Sequence, residues 1–273
     1  YKPTYDLFTI HGLDNMARSS SLKKIEFNLQ LPFVEEMPVH HLKKDLTDEE
    51  IDLTIDYCRK DLFATHKLYL LTIGETENTL YQDNNMIELR HNTKEEFGID
   101  CLNYSDIKLG EEIIKNEYAK ETNQKIYELP KKGFFRKSIK LKECIPSYIK
   151  FQTPQLKELL KTVKNRVVSQ TETIDYAFEF YGTTYDLKSG GLHSRNINES
   201  YTNKNKLIYT SDVGSYYPAS KHERGIYAFH LGKPIMTVYS KLYLRRIDLK
   251  PLAKKDKKIK GIVGSLKLSL NVV

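Results

Sequence analysis

The sequence predicts an α/β fold of the α+β type, and three observations predict it. The box Thr47-Asp48-Glu49-Glu50 caps a helix over residues 48–73, because the threonine oxygen can accept a backbone N–H three residues later while the glutamate there reaches back. Thr153-Pro154 starts another helix with a threonine cap and proline at the first helical position. The aromatic-rich residues 177–181 are typical of a strand.

Shorter patterns predict the remaining elements. Ile51, Ile55, Cys58 and Leu62 give the capped helix an apolar stripe. Pro218 is expected to break the chain, and Ser19-Ser20-Ser21 is expected to cap a short helix. The other predictions, in chain order, are a strand end at 6–10, a loop or extension at 94–103, a helix at 106–120, a strand at 207–209, a few helical turns after 221 and a helix over 259–273.

The composition is that of a soluble globular protein. The 273 residues are 40% hydrophobic and 29% charged, which excludes a disordered or fibrous chain. No window approaches the roughly 18 consecutive apolar residues of a membrane span, so no membrane partner is expected. Three widely spaced cysteines without a Cys-x-x-Cys pair disfavour a disulfide scaffold and a structural zinc site. We therefore expect a reducing, cytoplasmic location, which would be the host-cell cytoplasm for a viral protein.

Both ends of the chain look cut. Tyr1-Lys2-Pro3-Thr4 is neither an initiator methionine nor a signal peptide. Leu270-Asn271-Val272-Val273 stops inside an apolar, helix-compatible run without a stop signal. The sequence therefore predicts a segment of a longer protein.

The positive charge is concentrated in one block, residues 241–260. The whole chain has 43 Lys and Arg against 36 Asp and Glu. The block holds nine of the former and two of the latter, so it accounts for the entire excess of seven. Such a block can bind the phosphates of a nucleic acid or of a nucleotide. The alternative is a helix face that is simply exposed to solvent, unless another motif with binding chemistry accompanies the block.

The first such motif is Asp212-Val213-Gly214-Ser215-Tyr216-Tyr217-Pro218. A carboxylate at a strand end can hold a divalent cation, and successive N–H groups in the turn can face an anion. An ordinary surface turn is the alternative. The pattern resembles palm motif A of family B DNA polymerases, with Tyr216 in the place of leucine and Ala219 in that of serine.

The resemblance to motif A implies a role for each matching residue. Asp212 would ligate the catalytic metals. The backbone of residues 213–216, which include Ser215 and Tyr216, would contact the triphosphate of the incoming nucleotide. Tyr217 would sit under the sugar and exclude a 2′-hydroxyl.

A second motif lies at the end of the chain, in Lys267-Leu268-Ser269-Leu270-Asn271. Its lysine and asparagine share one helical face at positions i and i+4, although an exposed face could carry such a pair by chance. The run resembles motif B of the same family, Lys-x-x-x-Asn-Ser-x-Tyr-Gly, with Val272 replacing the serine. The resemblance makes Lys267 and Asn271 nucleotide-binding residues. It also places the basic block in the fingers, where Lys260 is a candidate phosphate contact.

Two weaker motifs precede these in the family's order. Lys188-Ser189-Gly190-Gly191 resembles the Tyr-x-Gly-Gly linker that holds template DNA, which makes Gly190 and Gly191 candidate DNA contacts. Lysine replaces the tyrosine, and a plain glycine turn is the alternative. Tyr57 and Asp61 share a helix face and resemble exonuclease motif III, which would make Asp61 a metal ligand and Tyr57 a water-orienting partner.

Taken together, the four motifs imply a family B DNA polymerase of the phage type, in four regions. These are the end of an RNase H-like 3′–5′ exonuclease domain at residues 1–75, an extension and linker at 76–173, the palm at 174–239 and the start of the fingers at 240–273. The implied reaction transfers dNTPs to a primer 3′-hydroxyl with two Mg²⁺ or Mn²⁺ ions. The implied partners are primer-template DNA, dNTPs and candidate replication accessory proteins.

Two other hypotheses stay open. A non-catalytic nucleic-acid-binding relative of a polymerase would use the basic block to grip phosphates, and the departures at Lys188, Ala219 and Val272 favour it. A nuclease that uses Asp61 alone is disfavoured by the downstream motifs. One carboxylate cannot hold two metals, so the segment by itself is expected to lack complete active sites.

Overall fold

The computed structural model describes residues 4–13, 20–76, 85–130, 136–169, 171–195, 205, 207, 209 and 211–272. These residues form a mixed structure of helices and small antiparallel sheets. The helices are α1 (Leu7–Ile10), α2 (Leu22–Asn28), α3 (Asp48–Thr72), α4 (Met86–Phe97), α5 (Asp106–Thr122), α6 (Leu141–Cys144), α7 (Pro154–Lys164), α8 (Tyr216–Arg224), α9 (Gly232–Leu249) and α10 (Lys257–Asn271). The strands are β1 (Ser138–Lys140), β2 (Val167–Ser169), β3 (Asp175–Phe180), β4 (Thr183–Lys188) and β5 (Gly191–Ser194).

The chain divides into two compact units. The first unit comprises residues 1–130 and 214–273, and the second comprises residues 131–213. The predicted exonuclease and fingers regions therefore both belong to the first unit. No described helix is long and apolar enough to cross a bilayer.

The core of the first unit is built around α10. This helix packs against α4, α5 and α9. Leu266 and Leu270 of α10 are almost fully buried, and removing such apolar side chains from water is the main force that holds the bundle together. The buried partners of α10 are Leu109 and Ile113 from α5 and Ile235, Val238 and Leu242 from α9.

Small residues let α10 approach its neighbours closely. A β-carbon on Gly110 of α5 would lie 2.7 Å from the carbonyl oxygen of Leu268. On the α4 side, the hydroxyls of Thr93 and Ser265 are joined by a buried hydrogen bond. Helix α10 is therefore fixed by backbone proximity on one side and by a polar contact on another.

The second unit contains the sheet β3-β4-β5, whose strands are all antiparallel. Alternate residues of β3, namely Tyr176, Phe178 and Phe180, are half-buried, whereas their neighbours are exposed. Helix α7 and this face of the sheet line an apolar groove of about 490 Å³. A separate pair, β1 and β2, forms a two-stranded antiparallel sheet.

Several predicted elements are confirmed. Helix α3 has the predicted bounds to within one residue, and both halves of its capping box are formed. Ser21 caps α2, and proline starts α7. Helix α10 contains the predicted terminal helix as far as Asn271, and β3 contains the predicted aromatic strand as far as Phe180.

Other predictions are wrong, each for a local reason. Residues 7–10 form α1 instead of a strand end, because the Asp6 side chain accepts the backbone N–H of Thr9 and caps a helix. Pro218 does not end an element but lies in the first turn of α8, where the N–H that proline lacks has no partner in any case. Residues 94–97 belong to α4 instead of a loop.

Two further differences concern the residues just before motif A and a helix that follows it. The described residues 207, 209 and 211–213 lie outside any strand, so the predicted strand before Asp212 is not formed in them. Residues 208 and 210 of that prediction lie outside the described part of the chain. Helix α9 was not predicted, although Ile235, Val238 and Leu242 follow helical spacing.

Helix α5 should not tolerate a side chain at Gly110. We expect Gly110→Ala to lower the free energy of unfolding by about 1–3 kcal/mol, because the added methyl group meets backbone that can move only if α10 moves. The measurement is urea unfolding followed by circular dichroism. Gly264→Ala is the matched control, since its methyl group would meet only the flexible end of Leu89 at 2.9 Å. Equal destabilisation by the two substitutions would contradict the close α5–α10 contact.

Candidate functional site

The residues of motif A lie at the start of α8. Ser215 precedes the helix in the left-handed backbone conformation, with φ 55°. The rings of Tyr216 and Tyr217 are exposed and meet edge to face at 5.4 Å. Asp212 is exposed and belongs to the second unit, whereas Ser215 belongs to the first.

The Ser215 hydroxyl is bound by an arginine of the basic block. Arg246 of α9 donates from Nη1 to Ser215 Oγ at 2.6 Å. The serine side chain does not cap α8, because its backbone is left-handed instead of extended as in capping residues. The motif A turn is therefore joined directly to the first helix of the predicted fingers.

Arg246 is an unusual arginine because it is buried without an ion pair to any carboxylate of the described residues. Only 9% of the residue is exposed, and its Nε has no hydrogen-bond partner in the described structure. Burial lowers the pKa of the Arg246 guanidinium. Because a buried cation without an anion is costly, this side chain is suited to receive an anionic ligand.

Arg246 lines a cavity of about 740 Å³ in the first unit. The cavity is formed by the end of α3, the start of α4, the segment between α9 and α10, and α10 itself. Its basic residues come almost entirely from the block identified in the sequence: Arg246, Lys254, Lys255, Lys257, Lys260 and Lys267. Its acidic residues are Glu75, Glu88 and Asp256. The lining therefore carries a positive charge excess.

The two predicted nucleotide-binding lysines are both part of this cavity. Lys260 and Lys267 are exposed residues of α10 and lie two turns apart on it. Asn271 is exposed at the last position of α10 and does not line the cavity. Lysines of the basic block thus meet the motif B lysine in one place, whereas the motif B asparagine stands apart.

Gly190 lies in the turn between β4 and β5, and Gly191 is the first residue of β5, paired with Lys188 of β4. Gly191 has φ +153°, in the region that favours glycine, and the imidazole of His193 lies 3.5 Å from the position of an added β-carbon. On the same hairpin, Arg195 donates from Nε to Asp186 at 2.9 Å. Hydrogen bonding from Arg195 lowers the pKa of Asp186. The turn is the predicted one, and its DNA contact stays a prediction.

Tyr57 and Asp61 do share one face of α3, and a lysine joins them. Lys23 of α2 donates to Asp61 at 2.9 Å and lies 4.4 Å from the centroid of the Tyr57 ring. The same ammonium contacts Glu26 at 3.1 Å. The structure therefore adds Lys23 and Glu26 to the two residues predicted from the sequence.

The charges of this cluster depend on one another. Glu26 is fully buried, and its Oε2 has no hydrogen-bond partner in the described structure. Burial by itself lowers the pKa of Lys23, but hydrogen bonds from its ammonium to Asp61, Glu26 and Tyr57 outweigh burial and raise that pKa. Lys23 consequently stays charged at any physiological pH and is paired with both carboxylates around it.

Within the described ranges, no three His, Cys, Asp or Glu side chains are grouped so that they could hold a metal ion. Asp212 and Asp61 each offer one carboxylate, and Asp61 already accepts a hydrogen bond from Lys23. Their roles as metal ligands stay predictions.

Comparison with known proteins does not identify a relative. No protein-family model matches the chain, and no curated protein or solved structure shows significant similarity to it.

Sequence reasoning missed the particular roles of Arg246, Lys23 and Glu26. In the sequence, Arg246 is one of several basic residues of the block. The one signal that distinguishes it is its position on the buried face of α9, one turn beyond Leu242. Lys23 and Glu26 follow the Ser21 cap at i, i+3 spacing, which indicates a local pair but gives no sign of Asp61.

Removal of Lys23 should destabilise the first unit. We expect Lys23→Met to cost about 3 kcal/mol in urea unfolding, because it leaves the Glu26 carboxylate buried without its cation. Lys24→Met is the matched control, since Lys24 is exposed on the same helix. Addition of Glu26→Gln to Lys23→Met should restore part of the loss. If the two lysine variants unfold at the same urea concentration, Lys23 does not neutralise a buried charge.

Proposed function

We propose that this chain is part of a family B DNA polymerase that carries out template-directed DNA synthesis and has an associated 3′–5′ exonuclease. The observation that supports this best is the cavity of α9 and α10. The motif B lysine, Lys260 and the buried Arg246 line it together, and Arg246 also holds the motif A serine. Two motifs that were separate in the sequence are thereby joined by one arginine.

The chemistry of the cavity suits a nucleoside triphosphate. Charge-assisted hydrogen bonds from lysine and arginine to phosphate oxygens are among the strong polar contacts in proteins. A partly enclosed site strengthens them, because less water screens the charges. The excess of basic residues gives the cavity a positive charge, which is opposite in sign to the charge of a triphosphate.

In the proposed reaction the primer 3′-oxygen attacks the α-phosphorus of the nucleotide. The 3′-hydroxyl loses its proton to water, the new P–O ester bond forms while the bond to the bridging oxygen of the β-phosphate breaks, and pyrophosphate leaves with that electron pair. Lys267, Lys260 and Arg246 would hold the β- and γ-phosphates, where negative charge accumulates as pyrophosphate departs. Magnesium or manganese ions bound with the help of Asp212 would stabilise the attacking and leaving oxygens.

Tyr217 would select the sugar. Its ring is exposed at the start of α8, two residues after the serine that Arg246 binds. By its place in motif A it would lie beneath the deoxyribose and leave no room for a 2′-hydroxyl. Gly190 and Gly191, at the tip of the β4–β5 hairpin, would let the backbone approach the template strand.

The exonuclease part of the proposal rests on the cluster of Tyr57, Asp61 and Lys23. In the protein without a bound ligand, the Lys23 ammonium donates a hydrogen bond to the Asp61 carboxylate. A divalent ion at Asp61 would have to compete with this ammonium or share the carboxylate with it. The Tyr57 hydroxyl would then orient the attacking water, as motif III implies.

A non-catalytic nucleic-acid-binding protein is the second candidate. The observation that favours it is the same ion pair, because a carboxylate neutralised by lysine is a weaker metal ligand than a free one. The basic cavity would then grip backbone phosphates without chemistry. Primer extension separates the two functions.

Asp212 provides the first activity test, made with the full-length protein that contains this chain. We expect Asp212→Asn to reduce magnesium-dependent primer extension by at least about a thousandfold, because an amide lacks the charge that a metal ligand supplies. Asp248→Asn is the matched control, since Asp248 is exposed on α9. Equal synthesis by the two variants would refute the metal role of Asp212, and no synthesis by the unsubstituted protein would favour the non-catalytic function.

Lys267 provides the second activity test. We expect Lys267→Ala to raise the KM for dNTPs by about 10- to 100-fold, which corresponds to the loss of one charge-assisted hydrogen bond. Lys115→Ala is the control, because Lys115 of α5 contacts Glu111 and Glu112 instead of the cavity. An unchanged KM in the Lys267 variant would show that the cavity is not part of the nucleotide site.

A further inference from the structure

The apolar groove of the second unit stays partly open among the residues that the structure describes. Helix α7, one face of the sheet β3-β4-β5 and the segment between α6 and α7 line it with twelve side chains, all of them apolar or aromatic. Among these described side chains, Val163 alone is buried. Folded proteins rarely expose a continuous apolar surface of this kind unless it binds something, so the groove is a candidate interaction site.

The chemistry and the length of the groove suit the side chains of a helix. The Tyr185 hydroxyl is the one polar side-chain group in its lining, whereas sites for small molecules usually add a few polar groups that fix the orientation of the ligand. Helix α7 has 11 residues, so the wall that it forms is about 16 Å long. An amphipathic helix of about three turns has this length and would place its apolar face in such a groove.

A stripe of lysines borders the apolar face of α7. Lys157, Lys161 and Lys164 follow at positions i, i+4 and i+7 and therefore share one side of the helix. Each residue turns the helix by about 100°, so this stripe lies beside the one that carries Leu156 and its apolar neighbours into the groove. Lys161 contacts Glu158 at 3.8 Å, whereas the other two lysines form no ion pair with a described residue. The positive charge of the stripe is therefore available to a partner.

The acidic residues of the sheet lie on the face away from the groove. Side chains alternate between the two faces of a strand, and Phe178 and Phe180 of β3 line the groove. Asp175 and Glu179 of the same strand therefore face the other way, and Asp186 does so on β4. The second unit as a whole is basic, with fifteen Lys and Arg against eight Asp and Glu. The side that carries the groove thus favours an acidic partner over a basic one.

We propose that the groove of the second unit binds an acidic amphipathic helix of a partner protein. Apolar side chains of that helix, spaced at i, i+3, i+4 and i+7, would fill the groove. Glutamates or aspartates along one edge of its apolar face would meet Lys157, Lys161 and Lys164. The apolar contacts would supply most of the affinity, while the charges would select an acidic partner and set its orientation. This inference goes beyond the proposed polymerase function and does not rest on it.

The test measures binding of a synthetic helix to the full-length protein that contains this chain, by fluorescence anisotropy at two salt concentrations. The probe is an amphipathic peptide of about four turns with leucine at i, i+3, i+4 and i+7 and glutamate along one edge. A second peptide carries lysine in place of each glutamate, and a third has the composition of the glutamate peptide in scrambled order. A single-stranded oligonucleotide and a long-chain fatty acid serve as competitors, because each resembles one part of the proposed partner.

One pair of variants tests the groove. Leu192→Asn changes a groove residue of β5 that is 56% exposed, so the substitution should leave the fold intact. Val167→Asn is the matched control, because Val167 is 51% exposed on β2 and does not line the groove. A circular dichroism melt of each variant checks that it is folded.

A second pair of variants tests the lysine stripe. The double variant combines Lys157→Glu with Lys161→Glu, and its matched control combines Lys137→Glu with Lys140→Glu. The control lysines are exposed in the same unit, at β1 instead of α7. Lys140 contacts Glu143 at 3.9 Å, a distance similar to that of the Lys161 ion pair, so both double variants lose the same number and kind of contacts.

We expect the glutamate peptide to bind at least about tenfold more tightly than the lysine peptide, and the scrambled peptide not to bind. Leu192→Asn should weaken binding of the glutamate peptide about tenfold at both salt concentrations, because it removes an apolar contact. The reversal at Lys157 and Lys161 should weaken that binding mainly at low salt, and it should favour the lysine peptide instead. Both control variants should bind as the unsubstituted protein does.

Four other outcomes would overturn the inference. If the unsubstituted protein binds neither peptide, or binds both equally, the groove does not receive an acidic helix. If the oligonucleotide binds and responds to the lysine reversal but not to Leu192→Asn, the lysines serve a nucleic acid. If the fatty acid displaces the peptide and binds more tightly than it does, the groove is a site for a small amphiphile. If the protein self-associates and Leu192→Asn abolishes that association, a second copy of the chain covers the groove.

Discussion

The close packing of α10 against α4 and α5 is the constraint on which the candidate site depends. Gly110 brings the backbone of α5 against the carbonyl of Leu268, one residue after the motif B lysine. On the α4 side, Gly261 leaves the space that Asn92 fills, and Ser265 is bonded to Thr93. These contacts set the height and rotation of α10, and therefore set where its lysines meet the cavity. A larger residue at Gly110 would meet the backbone of α10 and would move the helix and its basic side chains together.

The cavity also depends on a buried charge that the protein leaves uncompensated. Folding buries Arg246 with the Ser215 hydroxyl as its one hydrogen-bond partner among the described residues, and such burial lowers stability relative to a paired or apolar residue. The structure tolerates this cost because α10, α9 and α5 share a large apolar core. An anion in the cavity that Arg246 lines would recover part of the cost, so stability and binding would be coupled at this residue. The Lys23 cluster is the opposite case, in which one ammonium is paired with carboxylates of the protein, those of Asp61 and Glu26.

The sequence was a good guide wherever a structure depends on neighbours in the chain. The cap at Thr47 and the proline at the start of α7 fixed helix ends correctly, because capping involves groups only a few residues apart. It failed at Pro218, since the effect of proline depends on its position within a helix that the pattern had not located. It also failed to indicate that the stripe through Ile51 and Leu62 is exposed in this structure, because periodicity shows that a face is apolar without showing what covers it.

The sequence by itself determined the order of the motifs, the identity of their chemical groups and the concentration of positive charge in residues 241–260. Only the tertiary structure decided which of these groups act together. Arg246 and Ser215 are 31 residues apart, and Lys23 and Asp61 are 38 apart, while Asn92 and Gly261 lie in opposite halves of the chain. Contacts of this kind arise from the way that helices pack, and packing is set by side-chain volumes across several elements at once. A local pattern cannot contain that information, because the volumes concerned belong to residues that are distant in sequence.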